Sequence, residues 1–167
     1  MKHSLLLFCF IAFLFGGCKK DPSCDYLDLA GTVPPSQIQE IRDYLTSQGI
    51  TDAVQAPNNF FYRVTAAGSG GSVSNLCTLV TATYVGRLKN GTIFDQTAAG
   101  ASVTAELGQF IIGWQKGVPL VSKGGKITLY IPPALAYGSV DKKDANGNIV
   151  IPANSMLIFD IQIINFQ

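Results

Sequence analysis

Histidine is almost absent: one imidazole, His3, in 167 residues. If an N-terminal leader is removed, the chain can build no Ser-His or Cys-His relay and no histidine-based zinc site. Long apolar runs are missing too. The longest, Leu5 to Phe15, has eleven residues, well short of the ~20 that a bilayer-spanning helix needs. Charge is scarce at 14% of residues, and 12 basic side chains face 11 acidic ones. A net charge of +1 gives no broad basic field, so nucleic acid is not an expected partner. Tryptophan occurs once, at Trp114. Apolar side chains are plentiful, at 47%, alongside 17 Gly and 8 Pro. That composition excludes disorder throughout and predicts one folded domain with many turns and some appendages. No internal repeat is present.

Lys2 followed by the apolar run has the charge and length of a secretory signal core. The stretch Leu14-Phe15-Gly16-Gly17-Cys18 resembles the lipobox of bacterial lipoproteins, which are cleaved ahead of a cysteine that then carries lipid. Phe15 is larger than the residue usual there. The resemblance implies a leader over 1–17, lipidation of Cys18, and a mature chain of 167 − 17 = 150 residues held at a membrane by acyl chains. An ordinary secretory signal with a chance cysteine is the alternative. Lys19 and Lys20, with no aspartate directly after the cysteine, are similar to the context of outer-membrane lipoproteins. The expected location is therefore the bacterial cell envelope, at the outer membrane. With Cys9 in the leader and Cys18 committed to lipid, Cys24 and Cys77 remain as an even pair in an oxidising compartment. A disulfide between them is expected to add ~4 kcal/mol in the chain-entropy model; two unrelated thiols are the alternative.

The exported part reads as a tether and short helical arm over 18–59, then a β-rich body over 60–167. Asp21 to Val33 shows little periodicity. Ser36 and Gln39 have capping-box spacing, and Ile38, Ile41 and Leu45 recur at helical intervals, which predicts a helix from Gln37 to Gln48 stopped by Gly49. That helix either folds onto its own domain or serves as a dimerisation arm. Thr51 to Asn59 reads as a linker. Strands are expected over Phe60–Thr65, Leu76–Val85, Ile127–Ile131 and Met156–Phe166, with Asn90-Gly91 as a hairpin turn. In the last strand Leu157, Phe159, Ile161 and Ile163 alternate against Ile158, Asp160, Gln162 and Ile164. The body's one helix candidate, Gly113 to Val121, must be short or irregular, because Pro119 would cost ~3 kcal/mol deep inside a helix. The expected class is α+β: a twisted antiparallel sheet wrapped around a short helix, with an N-terminal helical arm.

Five blocks then occur in one order: Tyr84-Val85-Gly86; Asn90-Gly91-Thr92-Ile93-Phe94-Asp95; Leu107-Gly108-Gln109-Phe110-Ile111-Ile112-Gly113-Trp114; Ala136-Tyr137-Gly138; and Ile151 through Asp160. Over Leu76 to Gln167 the chain resembles the FKBP-type peptidyl-prolyl cis-trans isomerases. The resemblance implies a pocket between sheet and helix. Trp114 matches its indole floor, expected to be partly exposed; Tyr84, Phe94 and Phe159 match its aromatic walls. Phe110 and Ile111 match the segment before the floor, with the Ile111 N–H offered to a substrate carbonyl. Tyr137 matches a ligand-binding hydroxyl and Asp95 a carboxylate at the pocket edge. Ile151 matches an apolar rim residue. Val103 matches a wall position that can be a larger aromatic. The implied partners are proline-containing segments of exported proteins and macrolide-type inhibitors, with no cofactor and no metal. A non-catalytic proline-segment binder and a structural envelope lipoprotein are the competing readings.

The residue types suit that chemistry. Proline isomerisation rotates an amide over an uncatalysed barrier of ~18–20 kcal/mol and breaks no covalent bond, so no nucleophile is needed. The planar amide is the more charge-separated state, and a dry aromatic pocket favours the twisted one. The stretch Asp141 to Asn148 is read as a solvated turn overhanging the pocket mouth; it has no glutamate where a calcium loop requires one.

Overall fold

The computed structural model describes residues 24–73 and 75–167; the leader and Cys18 lie outside the described residues. In chain order the elements are α1 (Pro35–Ser47), β1 (Val54–Gln55), β2 (Phe61–Ala66), β3 (Leu79–Leu88), β4 (Ile93–Gln96), β5 (Val103–Glu106), α2 (Ile112–Gly117), β6 (Lys126–Ile131), β7 (Lys142–Lys143), β8 (Ile149–Ile151) and β9 (Leu157–Phe166). Short 3₁₀ turns occupy Leu107–Gln109, Val118–Leu120 and Pro133–Leu135. The strands pair antiparallel in the order β1-β2-β6-β9-β3-β4, with β5 also on β3, while β7 and β8 form a separate hairpin. The fold is α+β, a sheet wrapped on one short helix. Among the described residues no helix is long and apolar enough to cross a membrane.

Each face of the sheet is covered by a different helix. On one face Val80, Ala82, Leu129, Leu157, Phe159 and Ile161 pack with Trp114 and Val118 of the α2 region. Gly113 and Gly117 allow that approach: a Cβ on Gly113 would lie 2.5 Å from Ile131, and one on Gly117 2.6 Å from Leu129. Pro119 falls in the 3₁₀ turn that follows α2, where its missing N–H is harmless. On the opposite face Ile41 and Leu45 of α1 pack on Phe61, Tyr130, Met156 and Ile158. Ile158 is therefore only 3% exposed, although strict alternation puts it outside with Asp160 and Gln162.

Three local expectations are corrected. The helix begins at Pro35 with Pro34 at its cap and makes no side-chain capping bond, so the Ser36–Gln39 box does not form. Proline at the first helical position, with φ already set and no N–H to orphan, fixes the start instead. Gly49 ends the helix at φ +64, with the Ile50 N–H on the Leu45 carbonyl and the Gly49 N–H on Thr46. Thr51 to Asn59 is not a bare linker, since Val54 and Gln55 pair with β2 and Ala56 is buried. The segment from Cys24 to Pro34 has no regular structure, yet it packs on the body. Cys24 and Cys77 are joined Sγ to Sγ, Asp28 pairs with Lys116, and Val33 enters the main core.

Candidate active site

A cavity of ≈ 210 Å³ opens between β3, β4 and β9 on one side and the turn into α2 on the other. β3 supplies Tyr84, β4 supplies Phe94 and Asp95, and β9 supplies Phe159. The turn ahead of α2 brings Gln109, Phe110 and Ile111, α2 brings Trp114, and Tyr137 follows the 133–135 turn. Neighbours on a regular strand point to opposite faces, yet Phe94 and Asp95 both line the cavity. The register explains this: Gly86 pairs with Asp95 but Arg87 with Ile93, so Phe94 is the extra residue of a bulge.

Trp114 is the hub. Tyr84 and Phe159 meet it edge-on, at centroid distances of 5.3 Å and 5.4 Å. Phe94 meets Phe159 edge-on at 5.5 Å. These are the favoured arrangements of ring quadrupoles. Phe110 stacks on Trp114 at 4.8 Å with 16° between planes. The indole is consequently only 2% exposed, which corrects the expectation of a partly open floor. Gly86 makes room for two of the walls, since a Cβ there would lie 2.7 Å from Phe94 and 2.8 Å from Phe159.

The polar groups are few and differently engaged. The Tyr84 hydroxyl donates to Asp95 Oδ2 at 2.5 Å. Burial, and then this bond, push its phenol well above the usual tyrosine range. Burial and the nearby Asp95 charge raise Tyr137 as well. The Tyr137 hydroxyl and the Ile111 N–H make no hydrogen bond among the described residues. Both are donors available to a guest. The Lys142 ammonium lies 4.7 Å above the Tyr137 ring, so the β7–β8 hairpin reaches the cavity mouth. At the hairpin tip Asp144 accepts from Asn146 N, Asn148 N and Asn148 Nδ2, which closes the turn from within. Among the described residues no three His, Cys, Asp or Glu side chains gather as a metal site.

Eight of the ten expected pocket residues meet here; Val103 and Ile151 do not. β5 pairs with the first half of β3, placing Val103 opposite Ala82, two residues short of Tyr84. Ile151 is as buried as Phe159 and shares its core, but it does not line the cavity. Gln109 is an addition to the expected lining. The signal for it is its place inside the Leu107–Trp114 block, immediately before Phe110. Larger hollows lie elsewhere, ≈ 540 Å³ beside Tyr26 and Lys116 and ≈ 730 Å³ along the outer face of α1. Both are more open to solvent, and neither is walled by clustered rings. The aromatic cavity is the better candidate on chemistry, though not on size.

Comparisons with known proteins bear on the family and the fold. The sequence model of the FKBP-type peptidyl-prolyl cis-trans isomerases matches residues 72–164, more than half of the chain. An FKBP-type peptidyl-prolyl cis-trans isomerase FkpA of Buchnera aphidicola is 40% identical over 111 residues, 66% of this chain and 42% of the relative. The chain thus matches less than half the length of this relative. The crystal structure of FkpA from Escherichia coli superposes with a TM-score of 0.65 at 31% identity, over 79% of this chain and 58% of that one. A peptidyl-prolyl cis-trans isomerase from Pseudomonas syringae gives the same TM-score at 25% identity, over 82% of this chain and 99% of that one.

Proposed function

This chain belongs to the FKBP-type peptidyl-prolyl cis-trans isomerase family, and from that premise we propose that it catalyses rotation of Xaa-Pro bonds in exported proteins as a folding helper. The observation that carries the reading is Trp114 ringed by Tyr84, Phe110 and Phe159, beside two donors that bond nothing among the described residues. The proline ring lies on the aromatic cluster of Tyr84, Phe94, Trp114 and Phe159. The Ile111 N–H and the Tyr137 hydroxyl take carbonyl oxygens of the substrate. Asp95 fixes the Tyr84 phenol at the rim. The walls replace water around the Xaa-Pro carbonyl, which destabilises the planar, polar amide relative to its twisted form. Each ~1.4 kcal/mol of that preference is a tenfold rate gain.

The proposal extends to the rest of the chain. Residues 1–17 are the leader, Cys18 carries the lipid, 18–59 form the tether and arm, and 60–167 the isomerase domain. The protein sits in the bacterial envelope, at the outer membrane. Six residue steps separate Cys18 from Cys24, so a taut tether places the start of the folded part within ~20 Å of the anchor. Macrolide inhibitors of the family are expected to compete with proline peptides.

The test is an exchange measurement of cis–trans interconversion in an Xaa-Pro tetrapeptide, with the Trp114 emission recorded as a macrolide is titrated. The expected result is a rate above the uncatalysed one that the macrolide abolishes while it changes the emission saturably. Saturable binding with a rate equal to background would make the protein a proline-segment binder and sink the catalytic assignment.

A further inference from the structure

Residues 24–33 lie outside the stretch that the family model matches, yet Tyr26 among them packs on Gly108, directly before the cavity residues 109–111. The Tyr26 ring lies against Gly108, where a Cβ would come 2.2, 2.4 and 2.6 Å from three of its atoms. The Tyr26 hydroxyl donates to Glu106 Oε2 at 2.8 Å. Tyr26 therefore grips the chain on both sides of Leu107. Its neighbour Cys24 is bonded to Cys77, and beside Cys77 the Leu76 carbonyl accepts the Gly108 N–H at 2.7 Å. From α2, Gln115 Nε2 donates to the Gly108 carbonyl at 3.2 Å and to the Phe110 carbonyl at 2.8 Å. Gly108 is thus held by Tyr26, Leu76 and Gln115 together, and it immediately precedes the cavity residues Gln109, Phe110 and Ile111.

We infer that Tyr26 is a positioning residue of the isomerase site: by seating its ring on Gly108 it sets where Phe110 and Ile111 stand over Trp114. This rests on the assignment of the aromatic cavity as the proline site. The alternative is that the strap only adds stability. The two differ in a measurable way. With the Ile111 N–H taken to hold the substrate carbonyl alike in ground and transition states, loosening it raises KM and leaves kcat. A purely stabilising strap changes the unfolding midpoint, and the molecules that remain folded keep both constants.

The experiment is a double-mutant cycle on the full chain, assayed well below the melting midpoint. Tyr26→Ala should raise KM for an Xaa-Pro tetrapeptide by about three- to tenfold, the usual range for coupling through packed intermediates, with kcat changed by less than about twofold. Tyr26→Phe keeps the ring over Gly108 and should restore most of the affinity. Gly108→Ala evicts the ring from the other side and should raise KM similarly. The Tyr26→Ala/Gly108→Ala pair, relieved of the clash, should be no worse than Tyr26→Ala alone. If Tyr26→Ala does not fold, Tyr26→Leu and Gly108→Ala carry the same comparison. An unchanged KM in the folded single variants, or strict additivity in the pair, would overturn the inference. If the wild-type chain turns over no Xaa-Pro peptide, the catalytic reading fails separately. The cycle is then read as the Kd of the same tetrapeptide from Trp114 emission. A weaker Kd in both single variants without additivity in the pair supports the positioning role, and an unchanged Kd or strict additivity overturns it.

Discussion

The most searching test of the cavity is a single methyl group placed beneath it. Gly86 lies in β3 opposite Asp95 and Phe159, outside the positive-φ region that would itself require glycine. Gly86→Ala is therefore tolerated by the backbone, and its consequences fall on the rings above. The added Cβ would stand 2.7 and 2.9 Å from Phe94 Cζ and Cε2 and 2.8 Å from Phe159 Cε1, where carbon atoms prefer ~3.5–4.0 Å. Both rings must retreat by roughly 1 Å on that measure. Overpacking of this kind costs about 1–3 kcal/mol. Phe159 cannot yield freely, being 5% exposed and packed edge-on to both Trp114 and Phe94, so Phe94 gives way, into the cavity it lines. Urea denaturation followed by Trp114 emission should show the stability loss, and titration with a macrolide or proline peptide should show weaker binding. Gly86→Ala/Phe94→Leu removes the two ring atoms nearest the new methyl and should recover part of the stability. If Gly86→Ala left stability within ~0.5 kcal/mol, the ordinary spread of innocuous substitutions, and left binding unchanged, the rings would not pack on Gly86 as described.

Other perturbations probe the same architecture. Tyr84→Phe removes the 2.5 Å bond to Asp95; because Asp95 is exposed and water can replace the phenol, the loss in denaturant midpoint should correspond to ~0.5–1.5 kcal/mol. Tyr137→Phe deletes a hydroxyl that binds nothing among the described residues, so stability should hold while ligand affinity falls by ~0.5–1.5 kcal/mol, read by calorimetric titration. Burial raises the phenols of Tyr84, Tyr130 and Tyr137 above the ordinary value of 10.0. The folded state then keeps protons that the unfolded chain releases, so stability is flat below about pH 10 on their account and falls as pH rises past it; phenolate absorbance should appear together with unfolding in an alkaline titration. Cys24→Ser/Cys77→Ser opens a link between residues 53 apart, and guanidinium unfolding should show a loss of up to ~4 kcal/mol in the chain-entropy model, insensitive to added reductant.

Much of the fold is legible in the sequence because the long elements carry their own period. β6 and β9 appear within one residue of where alternation puts them, and α2 is cut short where Pro119 requires. The failures share a cause, which is that a distant segment decides them. Ile158 looks solvent-facing inside its strand and becomes core only because α1, more than a hundred residues earlier, lies on that face. β3 starts at Leu79 and runs through Leu88, later at both ends than its composition suggests, because pairing with β5 sets its start and pairing with β9 its end. β1 is two residues long and cannot show a period at all. At the helix start two local signals compete, and proline's fixed φ overrides a capping box that would have to begin inside the first turn.

The site divides along the same line. Residues whose roles depend on ring chemistry and motif order come together: Tyr84, Trp114, Tyr137 and Phe159 stand in the cavity as their blocks suggest. Residues whose roles depend on register do not. Val103 misses the wall because β5 begins opposite Ala82, two residues short of Tyr84, while Phe94 joins Asp95 only through a bulge that no alternation rule foretells. Least legible is the strap from Cys24 to Val33. Its contacts are single and unlike one another: one ring on one glycine, one ion pair, one disulfide. No periodicity records such contacts, so an aperiodic stretch that reads as tether can still support a site wall. Gly108 shows the dependence most plainly, for a residue that looks like an ordinary turn glycine is bare because Tyr26, eighty-two positions earlier, occupies the space of its side chain.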